Sequence, residues 1–107
     1  MSRRLAILFG VALALEPIAL CAAQAWRVIQ KDRAFQFREL TIARGDSVQF
    51  VNADPFLHQI YVESPDPSFE SDEQPPGQTI EVRFPRAGTF QVRCHIHPKM
   101  LLTVTVR

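Results

Sequence analysis

The segment Arg93–Met100, RCHIHPKM, places a thiol (Cys94), two imidazoles (His95 and His97) and a thioether (Met100) within seven residues. All four side chains are ligands that a soft metal ion accepts. The whole chain has two cysteines, three histidines and two methionines. One short stretch therefore takes at least half of each type, and metal binding is the first chemistry to consider.

The spacing narrows the set. Two residues separate Cys94 from His97, and two more separate His97 from Met100. A compact loop leaving one strand and entering the next can turn these three side chains to a common point. His95 directly follows an inward-facing Cys94, so strand alternation points it the other way, and it is expected to lie at the surface. The remaining histidine, His58, lies 36 residues before Cys94, at the start of a strand after NADPFL. In a sandwich, two strand ends that far apart in sequence can meet at one pole. The resulting set is His58, Cys94, His97 and Met100. Two imidazoles, a thiolate and a weak axial thioether form the donor set of a mononuclear blue-copper electron-transfer site. A binuclear centre would need a second cysteine in the loop. A thiol hydrolase would need a cleft and oxyanion donors that nothing here suggests. Structural zinc prefers closed Cys/His sets, to which Met100 adds nothing.

The elements that must position these residues are strands. WRVIQ (26–30) and AFQFREL (34–40) alternate, with Phe35 and Phe37 expected on one face. Leu40 and Ile42 precede a Gly45-Asp46 turn, and Val48 and Phe50 follow it, which is a hairpin-type signal. HQIYVES (58–64) reads as a further strand, and TIEVRF, TFQVRC and LTVTVR alternate cleanly up to the C-terminus. Residues 64–78 carry four prolines among Asp66, Glu70, Asp72 and Glu73 and read as a surface loop. No segment has helical periodicity with caps. The expected fold class is all-β: an antiparallel Greek-key β-sandwich of about seven short strands.

The first 25 residues have a different character. A basic MSRR, an apolar run Leu5–Leu15 and the small-residue stretch ending Ala23-Gln24-Ala25 make up a secretory signal peptide cleaved near Ala25. Removing 25 of the 107 residues leaves 82, one domain over 26–107. Without Arg3, Arg4 and Glu16, the 12 basic and 11 acidic residues become ten of each. That balance argues against nucleic acid, and contact with a membrane is expected only through the signal peptide. Cys21 goes with the leader. Cys94 then has no intramolecular partner in an oxidising compartment, which again favours a metal ligand.

Beyond these readings, the sequence resembles the cupredoxins, the type 1 blue copper proteins, and within them the plastocyanin and amicyanin type. C-x-x-H-P-x-M (Cys94, His97, Pro98, Met100) resembles the short ligand loop of amicyanin. LTIARGDSVQFVNADPFLH (40–58) resembles the strand-turn-strand leading to the first copper histidine. PPGQTIEVRFPRAGTFQVRCHIHPKM (75–100) resembles the C-terminal half. The likeness spans nearly all of 26–107. There are departures: Gln59 stands where the family usually has the Asn that ties the two ligand loops together, and Leu101 stands where a glycine is frequent.

The resemblance implies a periplasmic monomer, not an enzyme, that carries single electrons on one copper ion. His97 would be the electron port, framed by Pro55, Phe56, Leu57, Pro98 and Leu101. Implied partners are periplasmic or membrane redox proteins, such as a c-type cytochrome or a dehydrogenase, docking weakly near His97. The alternative is copper sequestration or tolerance without redox turnover. Long Met- or His-rich tails would favour it, and the chain has none.

Overall fold

The computed structural model describes residues 22–107, so most of the expected signal peptide (1–25) lies outside the described residues. Nine strands run in chain order: β1 Ala25–Lys31, β2 Ala34–Phe35, β3 Glu39–Ile42, β4 Ser47–Asn52, β5 Tyr61–Val62, β6 Phe69–Glu70, β7 Thr79–Arg83, β8 Gly88–Arg93 and β9 Leu101–Val106. They form a four-stranded sheet, β2-β1-β4-β7, and a five-stranded sheet, β3-β9-β8-β5-β6. The described residues form no helix. The all-β sandwich is as expected, but both sheets are mixed: β1 runs parallel to β4, and β3 runs parallel to β9.

Alternation builds the core. Along β4, Val48, Phe50 and Asn52 are buried, and along β9 Leu102, Val104 and Val106 are. Phe90 and Val92 of β8 and Val82 of β7 face them from their own sheets. Burying each of the apolar side chains among these contributes about 1.5–3 kcal/mol. Phe50 meets Phe35 edge-on at 5.7 Å between ring centroids, and Phe84 lies 5.7 Å from Phe90.

Three local expectations are corrected. The Gly45-Asp46 turn does not close a hairpin, because β3 and β4 belong to opposite sheets. The chain crosses the sandwich there, with Gly45 at φ 90°, and Asp46 fastens the corner by accepting from the Ala43 and Gln24 amides and the Trp26 indole. Phe37 is 41% exposed while Phe35 is buried. The strand breaks after Phe35, where the Gln36 amide turns back to Ile29 O (2.8 Å), so the two phenylalanines do not share a face. The 64–78 segment is not wholly loop, since β6 within it pairs with β5.

Candidate metal centre

Cys94 immediately follows β8 and continues its inward series Phe90 and Val92, which leaves it 1% exposed. Met100 immediately precedes β9 and is 2% exposed. Between them the chain makes a tight turn, closed by the Met100 amide donating to His97 O at 3.0 Å. Pro98 fixes φ within that turn and has no N–H to satisfy. The expected strand from His58 is shorter than the sequence suggests, because β5 covers Tyr61–Val62 only. His58 instead sits in an isolated bridge with Gln74, each backbone amide donating to the other's carbonyl (3.1 and 2.8 Å). Asn52, at the end of β4, shapes the loop between. Its Nδ2 donates to Phe56 O and Gln74 O, and its Oδ1 accepts from the Asp54 amide.

These elements bring His58, Cys94 and His97 together, with one donor atom from each lying within 4.8 Å of the others. Cys94 Sγ is 3.9 Å from His97 Nδ1. The His58 and His97 rings meet edge-on at 4.9 Å, and Phe56 packs against both at 5.5 and 5.4 Å. His58 is fully buried. Its Nε2 lies 2.7 Å from Asp54 Oδ2, while its Nδ1 has no hydrogen-bond partner. Buried polar atoms are seldom left unpaired. The carboxylate holds the proton on Nε2, which leaves the Nδ1 lone pair for a metal, the usual carboxylate–histidine–metal arrangement. A soft thiolate beside two imidazoles, one of them with an orphaned buried nitrogen, fits copper. Burial above all, and then the neighbouring His58 and Arg33, hold the His97 imidazole below its ordinary pKa, against the opposing pull of Asp54. It stays neutral, with a free lone pair, at neutral pH.

The residues around these donors were less legible in the sequence. Asp54 accepts from the Asp32 and Arg33 amides (2.7 and 3.1 Å) as well as binding His58. Burial raises its pKa, but the His58 hydrogen bond and the two amides outweigh that and lower it. The only sequence signal for Asp54 was a carboxylate in a short loop just ahead of His58. Gln59 is buried, and its Oε1 accepts from the His95 amide at 3.1 Å while its Nε2 donates to Ile60 O and Ser71 O. The two ligand segments are thus stitched together by a glutamine. His95 turns outward as expected. It stacks on Tyr61 at 3.7 Å with the rings 5° from parallel, and it lies 3.7 Å from Glu70.

The description copper binding proteins, plastocyanin/azurin family, matches residues 23–107. The chain belongs to the plastocyanin/azurin family of copper-binding proteins. The family and the His–Cys–His cluster together make its cofactor one type 1 copper ion. The methylamine utilization protein MauL of Methylorubrum extorquens is 42% identical over 55 residues, which is 50% of this chain and 48% of that protein. The chain thus matches about half the length of that relative. A purple cupredoxin from Nitrosopumilus maritimus superimposes with a TM-score of 0.68 at 22% identity, over 77% of this chain and 99% of that one. The Cu(I) form of an amicyanin variant gives 0.71 at 22% identity, over 78% and 82%. A copper-containing nitrite reductase from Thermus scotoductus gives 0.71 at 26% identity, over 90% of this chain and 26% of that one.

Proposed function

We propose that this protein is a periplasmic electron carrier and not an enzyme, with His58, Cys94, His97 and Met100 as its copper ligands. Bound there, copper supplies a one-electron couple between Cu(I) and Cu(II). The chain's own residues supply rigidity. Asp54 orients His58, Gln59 locks the Cys94 segment to the His58 segment, and the 97–100 turn presents His97 and Met100 from one short span. A donor set that does not rearrange suits both oxidation states.

One observation carries the reading: the exposure of the donors is unequal. His58 and Cys94 are sealed and Met100 is buried, while His97 is the one partly exposed member. Half-buried Phe56 packs on its ring, exposed Pro98 and Ile96 (41% exposed and left out of the sequence reading) flank it, and Pro55, Leu57 and Leu101 are exposed beside Phe56, His58 and Met100 in the sequence. A substrate has no route to the sealed donors, whereas an electron can pass at the His97 ring edge. A small apolar surface of this kind suits brief, weak encounters. The fold and the half-length likeness to a methylamine utilization protein support a c-type cytochrome or a dehydrogenase as partner. The leader ending near Ala25 supports export, and the domain over 26–107 then acts as a monomer.

The visible spectrum of the Cu(II)-loaded protein tests the site. An intense thiolate-to-copper band is expected, and Cys94→Ala should abolish it. A spectrum indifferent to that substitution would refute the assignment. Sequestration without turnover would instead leave the loaded protein slow to exchange electrons with hexacyanoferrate.

A further inference from the structure

Among the described residues, five large apolar side chains are markedly exposed: Trp26, Phe37, Leu57, Ile96 and Leu101. Three of them are sequence neighbours of proposed ligands, Leu57 beside His58, Ile96 beside His97 and Leu101 beside Met100. The charge next to this apolar surface is not evenly mixed. A shallow cavity of about 430 Å³ flanks His97, lined by Asp32, Arg33, Ile96, His97, Pro98 and Lys99. Two cations therefore face one carboxylate. Among the described residues, neither Arg33 nor Lys99 forms an ion pair, whereas on the 64–78 segment Asp66 is paired with Arg86 and Glu70 lies 3.7 Å from His95.

Arg33 is also held in place. It occupies the tip between β1 and β2, where Asp32 and Arg33 both adopt left-handed φ (56° and 57°), an unfavourable conformation for residues with a Cβ. The Asp54 carboxylate captures both tip amides and so maintains that conformation. The Arg33 guanidinium then lies 4.3 Å from the centre of the Phe56 ring, which packs against both ligand imidazoles. Its side chain is already ordered, so little entropy is lost when a partner's carboxylate meets its planar fork.

Building on the electron-carrier reading, we propose that Arg33 and Lys99 dock a redox protein whose electron-exchanging edge is ringed by carboxylates. The apolar residues around His97 make the close contact, and the two cations set the approach and the choice of partner. Asp32 lies on the same rim, so a partner ringed by lysines would meet one attraction against two repulsions.

Stopped-flow mixing of the copper-loaded protein with two c-type cytochromes tests this, one with carboxylates around its haem edge and one with lysines there. The carboxylate-edged cytochrome should exchange electrons faster and slow as ionic strength rises. Arg33→Gln and Lys99→Gln together should slow it about ten-fold at low salt. Arg33→Lys, which keeps the charge, should retain most of the rate. Faster exchange with the lysine-edged cytochrome, or variants that leave the carboxylate-edged rate unchanged, would overturn the docking proposal while the carrier function stands. If neither cytochrome nor hexacyanoferrate exchanges electrons with the loaded protein, the carrier reading fails and takes the docking proposal with it.

Discussion

Asp54 Oδ2 lies 2.7 Å from His58 Nε2, and the same carboxylate holds the amides of Asp32 and Arg33. One buried anion thus orients a proposed ligand and shapes a surface turn. Asp54→Asn removes the charge and weakens the hold on the imidazole. Copper affinity is expected to fall about 10- to 100-fold. The reduction potential should rise, because losing a nearby negative charge favours Cu(I). Competition titration with a Cu(I) chelator and voltammetry measure the two effects. A variant that loses thermal stability but keeps both values would reduce Asp54 to a turn clamp.

Gln59→Ala would leave the partly buried His95 amide and the Ser71 carbonyl without their partner, while the Ile60 carbonyl keeps the Ser71 amide. A buried polar group left unpaired costs about 1–3 kcal/mol. Urea unfolding of the metal-free protein should show that loss. Copper release should also quicken, since the stitch between the His58 and Cys94 segments is gone. Gln59→Asn is one methylene shorter and is expected to recover part of the loss.

The Asp46 carboxyl is held below its ordinary pKa, first by the Gln24 amide, which the proposed cleavage after Ala25 removes, then by the Trp26 indole and the Ala43 amide, which the domain over 26–107 keeps, against a smaller opposing effect of burial. A depressed folded pKa means that the stabilisation is complete above the unfolded value of about 3.9 and is lost as pH falls through the folded one. Acid should therefore loosen the corner between β3 and β4. Asp46→Asn is expected to lower stability at neutral pH and to flatten the acid limb of a plot of urea midpoint against pH. Parallel acid limbs for the two proteins would contradict this.

Phe50 is fully buried beneath Phe35, on the strand that leads towards the His58 loop. Phe50→Ala should cost about 3–5 kcal/mol, through lost burial and the cavity left behind. Chemical denaturation gives the magnitude. Because Phe50 is not itself a proposed ligand, whatever folded protein remains should keep the visible band of its copper-loaded form.

The sequence made the strands around the site legible where each had one wet face and one dry face. In β4, β8 and β9 the period of two runs through to Asn52, Cys94 and Val106, and the inward Cys94 follows from it. The spacing from Cys94 to Met100 was legible because one short turn carries it. Which sheet each strand joins was less so. Alternation on either side of Gly45-Asp46 looks the same whether the chain folds back or crosses over, and the crossing is decided by distant partners such as Val82 and Val104. Gln59 and Asp54 were obscure for a related reason. Their roles rest on hydrogen bonds to residues 36 and about 22 positions away, and no local pattern announces such pairs.

The β8–β9 ladder stays in register as far as Arg93 opposite Leu101, directly beneath the segment 94–100. Seven residues bearing three of the four proposed donors are therefore mounted on a closed rung and do not carry the ladder themselves. The segment can be treated as an exchangeable head on a fixed handle: its length and composition could be rewritten to retune the metal while the sandwich beneath keeps its pairing. The Gln59–His95 stitch, the stack of His95 on Tyr61 and the packing of His97 on Phe56 would have to be rebuilt with it.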